Sequence, residues 1–354
     1  MSVPVWKDPA AMCFDVKAAF EWASPPRPSS PFRQRKLVLC SLPAYNRRVP
    51  DHIAPIDSST RYCAVFGHPI SHSASPAMHN AALAQLRLNW KYLAFDVHPD
   101  NLAEAIAGAR RMKFIGLNLT VPHKLLALKM VDQLDDSARL WGAVNTICFE
   151  ARLANGEWRP LISFPTEVPE DIRSRGFNTD ADAIVRSIQE DLGLKLAGTQ
   201  IVLLGAGGAG RVAALKLASE NVAALYLVNR TVSKAEAVAA EIRKRCPQVK
   251  VSVGYPKDTV DLLLNATSLG LKSDDASPVD RSQFELRSAR AVYDMIYRPA
   301  ETPLLKAARE AGCRTANGIG MLLYQGARAL EIWTGHPAPI EIMRSALLKN
   351  VYGI

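Results

Sequence analysis

Short apolar runs alternate with longer stretches of helical spacing from about residue 60 onward, and this alternation predicts an α/β protein with parallel strands. YCAVFG at 62–67 reads as a buried strand ending in a turn. SPAMHNAALAQLRL reads as a helix, with Ser75 as its cap, Pro76 at its first position and apolar residues recurring on one face. KYLAFDV predicts a strand, 102–109 a helix and 114–119 a strand, and Pro122 opens a further helix through Leu134. A hairpin-like stretch covers 147–158, Pro165 and Pro169 mark an irregular insert near 155–175, and helical spacing returns at 181–192.

A second unit then begins. TQIVLL, GAGGAG, RVAALKLASE, ALYLVNR, KAEAVAAEIRKR and VKVSVG follow one another in βαβαβ order. DLLLNAT and AVYDMI add two strands, TPLLKAAREAG adds a helix, and the chain from Met321 is helical with a break at HPAP. Residues 1–58 differ: they hold nine of the 23 prolines and no sustained periodicity, which predicts a loose arm or an irregular wrap.

A length of 354 residues suits two domains, and 48% apolar with 22% charged residues is ordinary globular composition. Six cysteines, at 13, 40, 63, 148, 246 and 313, form no close pair, which favours a reducing compartment over a disulfide framework or a zinc cluster. No apolar run has the length of a signal core or a bilayer span, so a soluble cytoplasmic protein is expected, with no membrane partner. The formal charge is +9, but the first 60 residues hold only eight Lys or Arg against five Asp or Glu, so the excess is spread along the chain. That spread reads first as general basicity and argues against nucleic acid, while the field could also help draw in small anionic substrates.

Gly205, Gly207 and Gly210 fit G-x-G-x-x-G between a strand and a helix. The first glycine permits the tight turn, the second lets the backbone approach a diphosphate, and the third lets helix and strand pack closely. With Gly208 and Ala209 the turn forms the amino end of the next helix, which offers free N–H groups to an anion. At the end of the following strand stand Asn229, Arg230 and Thr231, with Lys234 one helical turn on, and no carboxylate. Two cations there suit the 2′-phosphate of NADP, whereas NAD would want an acid for its free ribose hydroxyls.

Polar residues gather after strand ends elsewhere. GHPISHSASPAMHN at 67–80 holds Ser73 and Ser75, both able to donate to a carboxylate beside a helix start. GLNLTVPHK at 116–124, GAVNT at 142–146 and GFNTD at 176–180 supply a lysine, asparagines and an aspartate. His68, His72 and His79 straddle a proline turn and read as loop or helix-packing groups rather than metal ligands, so no metal is expected.

With the further blocks NRT at 229–231, NATS at 265–268, DMIYRPAETPLL at 294–305 and GMLLYQ at 320–325, the chain from Arg61 onward resembles the shikimate dehydrogenase family, including its shikimate/quinate-using relatives. The resemblance implies an N-terminal α/β substrate domain (59–180, rejoined by helices at 319–354) and a Rossmann-type NADP-binding domain (181–318), with the arm at 1–58 outside both. It implies that Lys124 and Asp180 flank the oxidised carbon, and that Ser73, Ser75, Thr120, Asn145, Tyr297 and Gln325 hold a small anionic ring hydroxy acid. Thr267, Ser268 and Gly318 would lie along the cofactor. The implied reaction is NADP-dependent, reversible reduction of 3-dehydroshikimate to shikimate, a step of aromatic amino acid biosynthesis, in a monomer or homodimer. Quinate or mixed quinate/shikimate oxidation with relaxed cofactor choice is the alternative, and a catalytically silent ligand-sensing relative is a distant one.

Three departures from the family pattern bear on substrate. The interval from Asn145 to Asp180 is long, which suggests an insert near the cleft. Arg298 follows Tyr297 where the family usually has asparagine, and Asn317 stands where aspartate is common. Changed charge near the ring would alter the hydroxyl pattern accepted.

Overall fold

A computed structural model of the protein describes residues 56–272 and 274–354; residues 1–55 of the expected arm lie outside the described residues. The first half builds β1 (Arg61–Gly67), α1 (Ser75–Gln85), β2 (Trp90–Asp96), α2 (Leu102–Arg111), β3 (Gly116–Leu119), β4 (Gln133–Leu134), α3 (Asp136–Trp141), β5 (Thr146–Arg152), β6 (Trp158–Pro160), β7 (Ile172–Phe177) and α4 (Asp180–Leu192). Its sheet runs β2-β1-β3-β5-β7-β4, with β6 paired to β5. β1, β2 and β3 are parallel as expected, but β5 is antiparallel to both β3 and β7. The sheet is therefore mixed, and the antiparallel β5–β6 pair falls on the hairpin-like stretch expected at 147–158.

The second half builds β8 (Gln200–Leu204), α5 (Gly208–Ser219), β9 (Ala224–Val228), α6 (Val232–Arg245), β10 (Lys250–Val253), β11 (Val260–Asn265), β12 (Ala289–Asp294), α7 (Pro303–Glu310), β13 (Arg314–Asn317), α8 (Ile319–Thr334) and α9 (Ile340–Tyr352). The sheet order is β10-β9-β8-β11-β12-β13 and every pairing is parallel. The order reverses between β8 and β11, the crevice where doubly wound sheets take ligands.

Local chemistry sets the element ends. Asp135 accepts the Ser137 N–H to start α3, and left-handed Gly142 (φ 63°) ends it. Thr302 accepts the Leu305 N–H to start α7, with Pro303 following. α8 and α9 return to the first sheet: Leu323, Leu330, Trp333, Met343 and Leu347 join Val65, Leu117 and Ile147 in one core. Trp333 donates to the Ile147 carbonyl at 2.9 Å, and a Cβ on Gly116 would lie 2.1 Å from the same indole nitrogen, so only glycine fits there. Ile184 and Ile188 of α4 instead pack with Leu203, Leu225 and Leu262 under the second sheet. No helix among the described residues is long and apolar enough to cross a membrane.

Three local expectations are corrected. No helix runs from Pro122 to Leu134: a turn and a short 3-10 segment (Leu126–Lys129) lead into β4, whose Gln133 and Leu134 pair with Arg175 and Gly176 of β7. Cross-strand backbone bonds there outweigh a local helical tendency. Ala74, not Ser75, occupies the cap position of α1, and no side chain caps it; Ser75 is the first helical residue and faces Tyr92. The insert does not border the cleft. It joins Arg152 of β5 to Ile172 of β7 at the sheet edge where β1 begins, and Arg61 donates to the Phe164 carbonyl while Lys113 holds the Val168 carbonyl and Glu170.

Candidate active site

The reversal of β5 gathers the polar blocks. β1, β3 and β7 end, and β5 begins, on one edge of the first sheet, so the segments around Ser73, Lys124, Asn145 and Asp180 converge there. Lys124 Nζ lies 2.8 Å from Asp180 Oδ2, with the two side chains 27% and 10% exposed. The lysine backbone is pinned, since its carbonyl accepts the Val144 N–H at 2.9 Å. Asp180 is the first residue of α4, in a turn fixed by Asn178, which donates to the Ala143 carbonyl and accepts the Ala181 N–H.

Asn145 is buried, and its amide donates to the Thr179 hydroxyl at 2.9 Å and to Gln325 Oε1 at 3.5 Å. Ser73 Oγ accepts the Ser75 N–H at 3.4 Å, and the Thr120 N–H donates to the Phe66 carbonyl at 3.0 Å. Tyr297, on the loop after β12, packs on the first sheet's core; burial pushes its phenol up, while Arg298 and a backbone contact with Ala74 pull it down. It thus arrives between the two serines from the other sheet.

Beneath these groups lies a buried polar network that the sequence reading missed. The Tyr92 hydroxyl donates to Asn118 Oδ1 at 2.7 Å, and Asn118 Nδ2 donates to Thr146 Oγ1 at 3.0 Å and to the Asn145 carbonyl. Thr146 in turn meets Thr179 at 3.3 Å. Burial pushes the Tyr92 phenol well above its ordinary value, so it stays a neutral donor. The available signal was an asparagine inside an otherwise apolar strand, because buried amides need partners.

The glycine turn opens α5 at the switch point. Gly205 has φ 101°, and a Cβ on Gly210 would sit 2.1 Å from the Gly205 carbonyl oxygen, whereas one on Gly207 would meet nothing within 4 Å. Open space over Gly207 and the free amino end of α5 fit a diphosphate. Asn229 accepts the Ala206 N–H and donates to the Thr231 carbonyl, tying the turn to the end of β9, where Arg230 and Lys234 are exposed. On the other side of the crevice Asn265 accepts both the N–H and hydroxyl of Thr267, next to Ser268. Gly318 precedes α8 with no room for a Cβ, 2.0 Å from the Met295 carbonyl. A Cβ on Gly208 would lie 3.7 Å from Leu125, so the turn adjoins the residue after Lys124.

The two departures in residue type have protein partners of their own. Arg298 reaches the Asn350 carbonyl at 3.4 Å, and Asn317 donates to the Ala300 carbonyl and the Tyr352 hydroxyl. Among the histidines, His68 pairs with Asp96 at 2.6 Å, and buried His79 stacks on Tyr92 at 4.1 Å. His123, beside Lys124, is also buried.

Comparison with known proteins matches this arrangement. The model for a shikimate dehydrogenase substrate binding domain covers residues 65–147, that for shikimate/quinate 5-dehydrogenase covers 186–268, and that for a shikimate 5′-dehydrogenase C-terminal domain covers 318–348. The chain is 38% identical over 303 residues to the shikimate dehydrogenase (NADP(+)) of Methanopyrus kandleri, covering 84% of this chain and 98% of that protein. A structure of Thermus thermophilus shikimate 5-dehydrogenase with NADP(H) and shikimate superposes with a TM-score of 0.67 at 34% identity, covering 82% of this chain and 99% of that one. A quinate dehydrogenase from Corynebacterium glutamicum with NAD gives 0.68 at 27% identity, covering 82% and 99%. Two sheets meeting at a Lys–Asp pair and a glycine turn, with these matches along the chain, lead to one conclusion: the protein belongs to the shikimate/quinate 5-dehydrogenase family and is an NADP-dependent oxidoreductase.

Proposed function

We propose that the enzyme reversibly reduces 3-dehydroshikimate to shikimate with NADPH, using residues 59–180 and 319–354 to bind the acid and 181–318 to bind the cofactor. The observation that carries this reading is the Lys124–Asp180 pair at 2.8 Å, largely withdrawn from solvent and adjoining a turn with room for a diphosphate. When bound, NADPH supplies the hydride. As the ketone is reduced, negative charge grows on its oxygen; the Lys124 ammonium stabilises that charge and delivers a proton. Asp180 aims the ammonium and accepts a hydrogen bond from a ring hydroxyl.

Ser73, Ser75 and Tyr297 hold the carboxylate, and Thr120, Asn145 and Gln325 hold the ring hydroxyls. On the cofactor side, the turn of Gly205, Gly207, Gly208, Ala209 and Gly210 takes the diphosphate. Asn229, Arg230, Thr231 and Lys234 take the 2′-phosphate end, and Thr267, Ser268 and Gly318 line the remainder. The free, buried thiols of Cys63 and Cys148 suit a reducing cytoplasm.

Following nicotinamide absorbance with shikimate, quinate and aminated analogues, each with NADP and NAD, tests the assignment. The fastest turnover is expected with shikimate and NADP. Preference for quinate would favour the second substrate reading, for which the likeness to the Corynebacterium glutamicum enzyme speaks; no turnover with any pair would reject both.

A further inference from the structure

The last helix reaches the loop that carries Tyr297, and it does so through the two positions at which the sequence departs from its family. Tyr352, at the end of α9, donates its hydroxyl to the Tyr297 carbonyl at 2.7 Å and accepts from Asn317 Nδ2 at 2.8 Å. The same Asn317 nitrogen donates to the Ala300 carbonyl at 2.7 Å, while Asn317 Oδ1 accepts the Ile319 N–H at 3.1 Å. Arg298 adds a contact to the Asn350 carbonyl. α9 is built into the core of the first sheet through Met343 and Leu347, whereas Tyr297 follows β12 and Asn317 ends β13 of the second. The clasp therefore spans the two sheets at the residue that lies against Ala74.

The polarity of these bonds accounts for asparagine at 317. Its oxygen is committed to the Ile319 N–H, so its amide faces Tyr352 and leaves the phenol proton for the Tyr297 carbonyl. A carboxylate at 317 would take that proton instead and release the Tyr297 carbonyl. The anchoring at the loop's start and end is separate: Asp294 accepts the Ile296 N–H and the Thr302 hydroxyl.

We infer that Tyr352, oriented by Asn317, is a positioning residue that sets Tyr297 against the Ser73–Ser75 segment and so tunes binding of the ring acid. The inference rests on the reading of Tyr297 as a substrate contact. It is tested on the full chain by initial rates with shikimate and NADP, together with thermal melts, for Tyr352→Phe, Asn317→Asp and Tyr297→Phe. Loss of one such hydrogen bond should raise KM for shikimate by about three- to tenfold in each of the first two variants, with a smaller effect on kcat and none on KM for NADP. Tyr297→Phe should raise it as well, and adding Tyr352→Phe on that background should have little further effect, as expected for coupled residues. If Tyr297→Phe raises KM while Tyr352→Phe and Asn317→Asp only lower the melting temperature, the clasp is merely structural and the inference falls while the Tyr297 contact stands. If Tyr297→Phe leaves KM unchanged, the Tyr297 contact is wrong and the inference falls with it.

Discussion

The Asn145 side-chain oxygen accepts the Thr179 backbone N–H at 2.7 Å, and its amide donates back to the Thr179 hydroxyl at 2.9 Å. Each residue thereby holds the other immediately before Asp180, so the pair transmits order from the buried network to the carboxylate that meets Lys124. Thr179→Val keeps the shape but removes the nearer of the Asn145 amide's two acceptors, leaving the 3.5 Å contact to Gln325, and an unmade hydrogen bond of a buried group costs about 1–3 kcal/mol. A lower melting temperature and a reduced kcat/KM for shikimate are expected together; full catalytic efficiency would show that Asn145 is held adequately without Thr179.

Lys124→Ala should lower kcat by about a hundredfold or more while moving KM for shikimate much less, because the ammonium acts mainly as the oxygen charges. Steady-state kinetics in both directions decide this. An unchanged kcat would remove Lys124 from the chemistry.

Two glycines of one turn should respond differently to the same substitution. Gly210→Ala drives a Cβ into the Gly205 carbonyl at 2.1 Å, which backbone cannot easily yield, so loss of stability is expected. Gly207→Ala meets no protein atom within 4 Å, so the melting temperature should hold while KM for NADP rises. Equal melting temperatures for the two variants would contradict the packing argument.

Arg230→Ala should weaken NADP(H) by about tenfold or more, the worth of a charge-assisted hydrogen bond to phosphate, with NAD(H) nearly unmoved. Parallel titrations of the two cofactors read this directly. Equal losses for both would mean that Arg230 recognises something other than the 2′-phosphate.

Burial holds the His79 imidazole down at about 3, and both its nitrogens lack hydrogen-bond partners among the described residues. In the unfolded chain it titrates near its ordinary value of about 6.5. Between these values the unfolded state binds the extra proton, so stability is full above the upper one and declines as pH falls through the window. His79→Phe, which can keep the stack on Tyr92, should flatten that decline by up to about 1.4 kcal/mol per pH unit. Denaturant melts between neutral and mildly acidic pH test it, and an unaltered slope would assign the acid sensitivity to other groups.

The parts of this molecule legible in the sequence were those written locally. Gly205, Gly207 and Gly210 sit in one turn whose tight geometry follows from sterics, and Arg230 stands at the strand end where an acid would serve NAD. Lys124 and Asp180 are 56 residues apart, and only the order of their motif blocks joined them. The helix expected after Pro122 failed because two residues, Gln133 and Leu134, found backbone partners in β7, a choice invisible to local spacing. Asn118 was overlooked because an asparagine within an apolar strand looks like an interruption until Tyr92 and Thr146 are seen on either side of it. The departures at 298 and 317 were legible as departures, yet their meaning depended on Tyr352 and Asn350, residues whose nearness no periodicity reveals.

The long connection between β5 and β7 hangs from the edge of the sheet remote from Lys124. The added length thus lies away from the Lys124–Asp180 pair, and the exposed turn at Ala154 and Asn155 offers a graft point: a reporter peptide placed there should travel with the enzyme and leave its turnover intact.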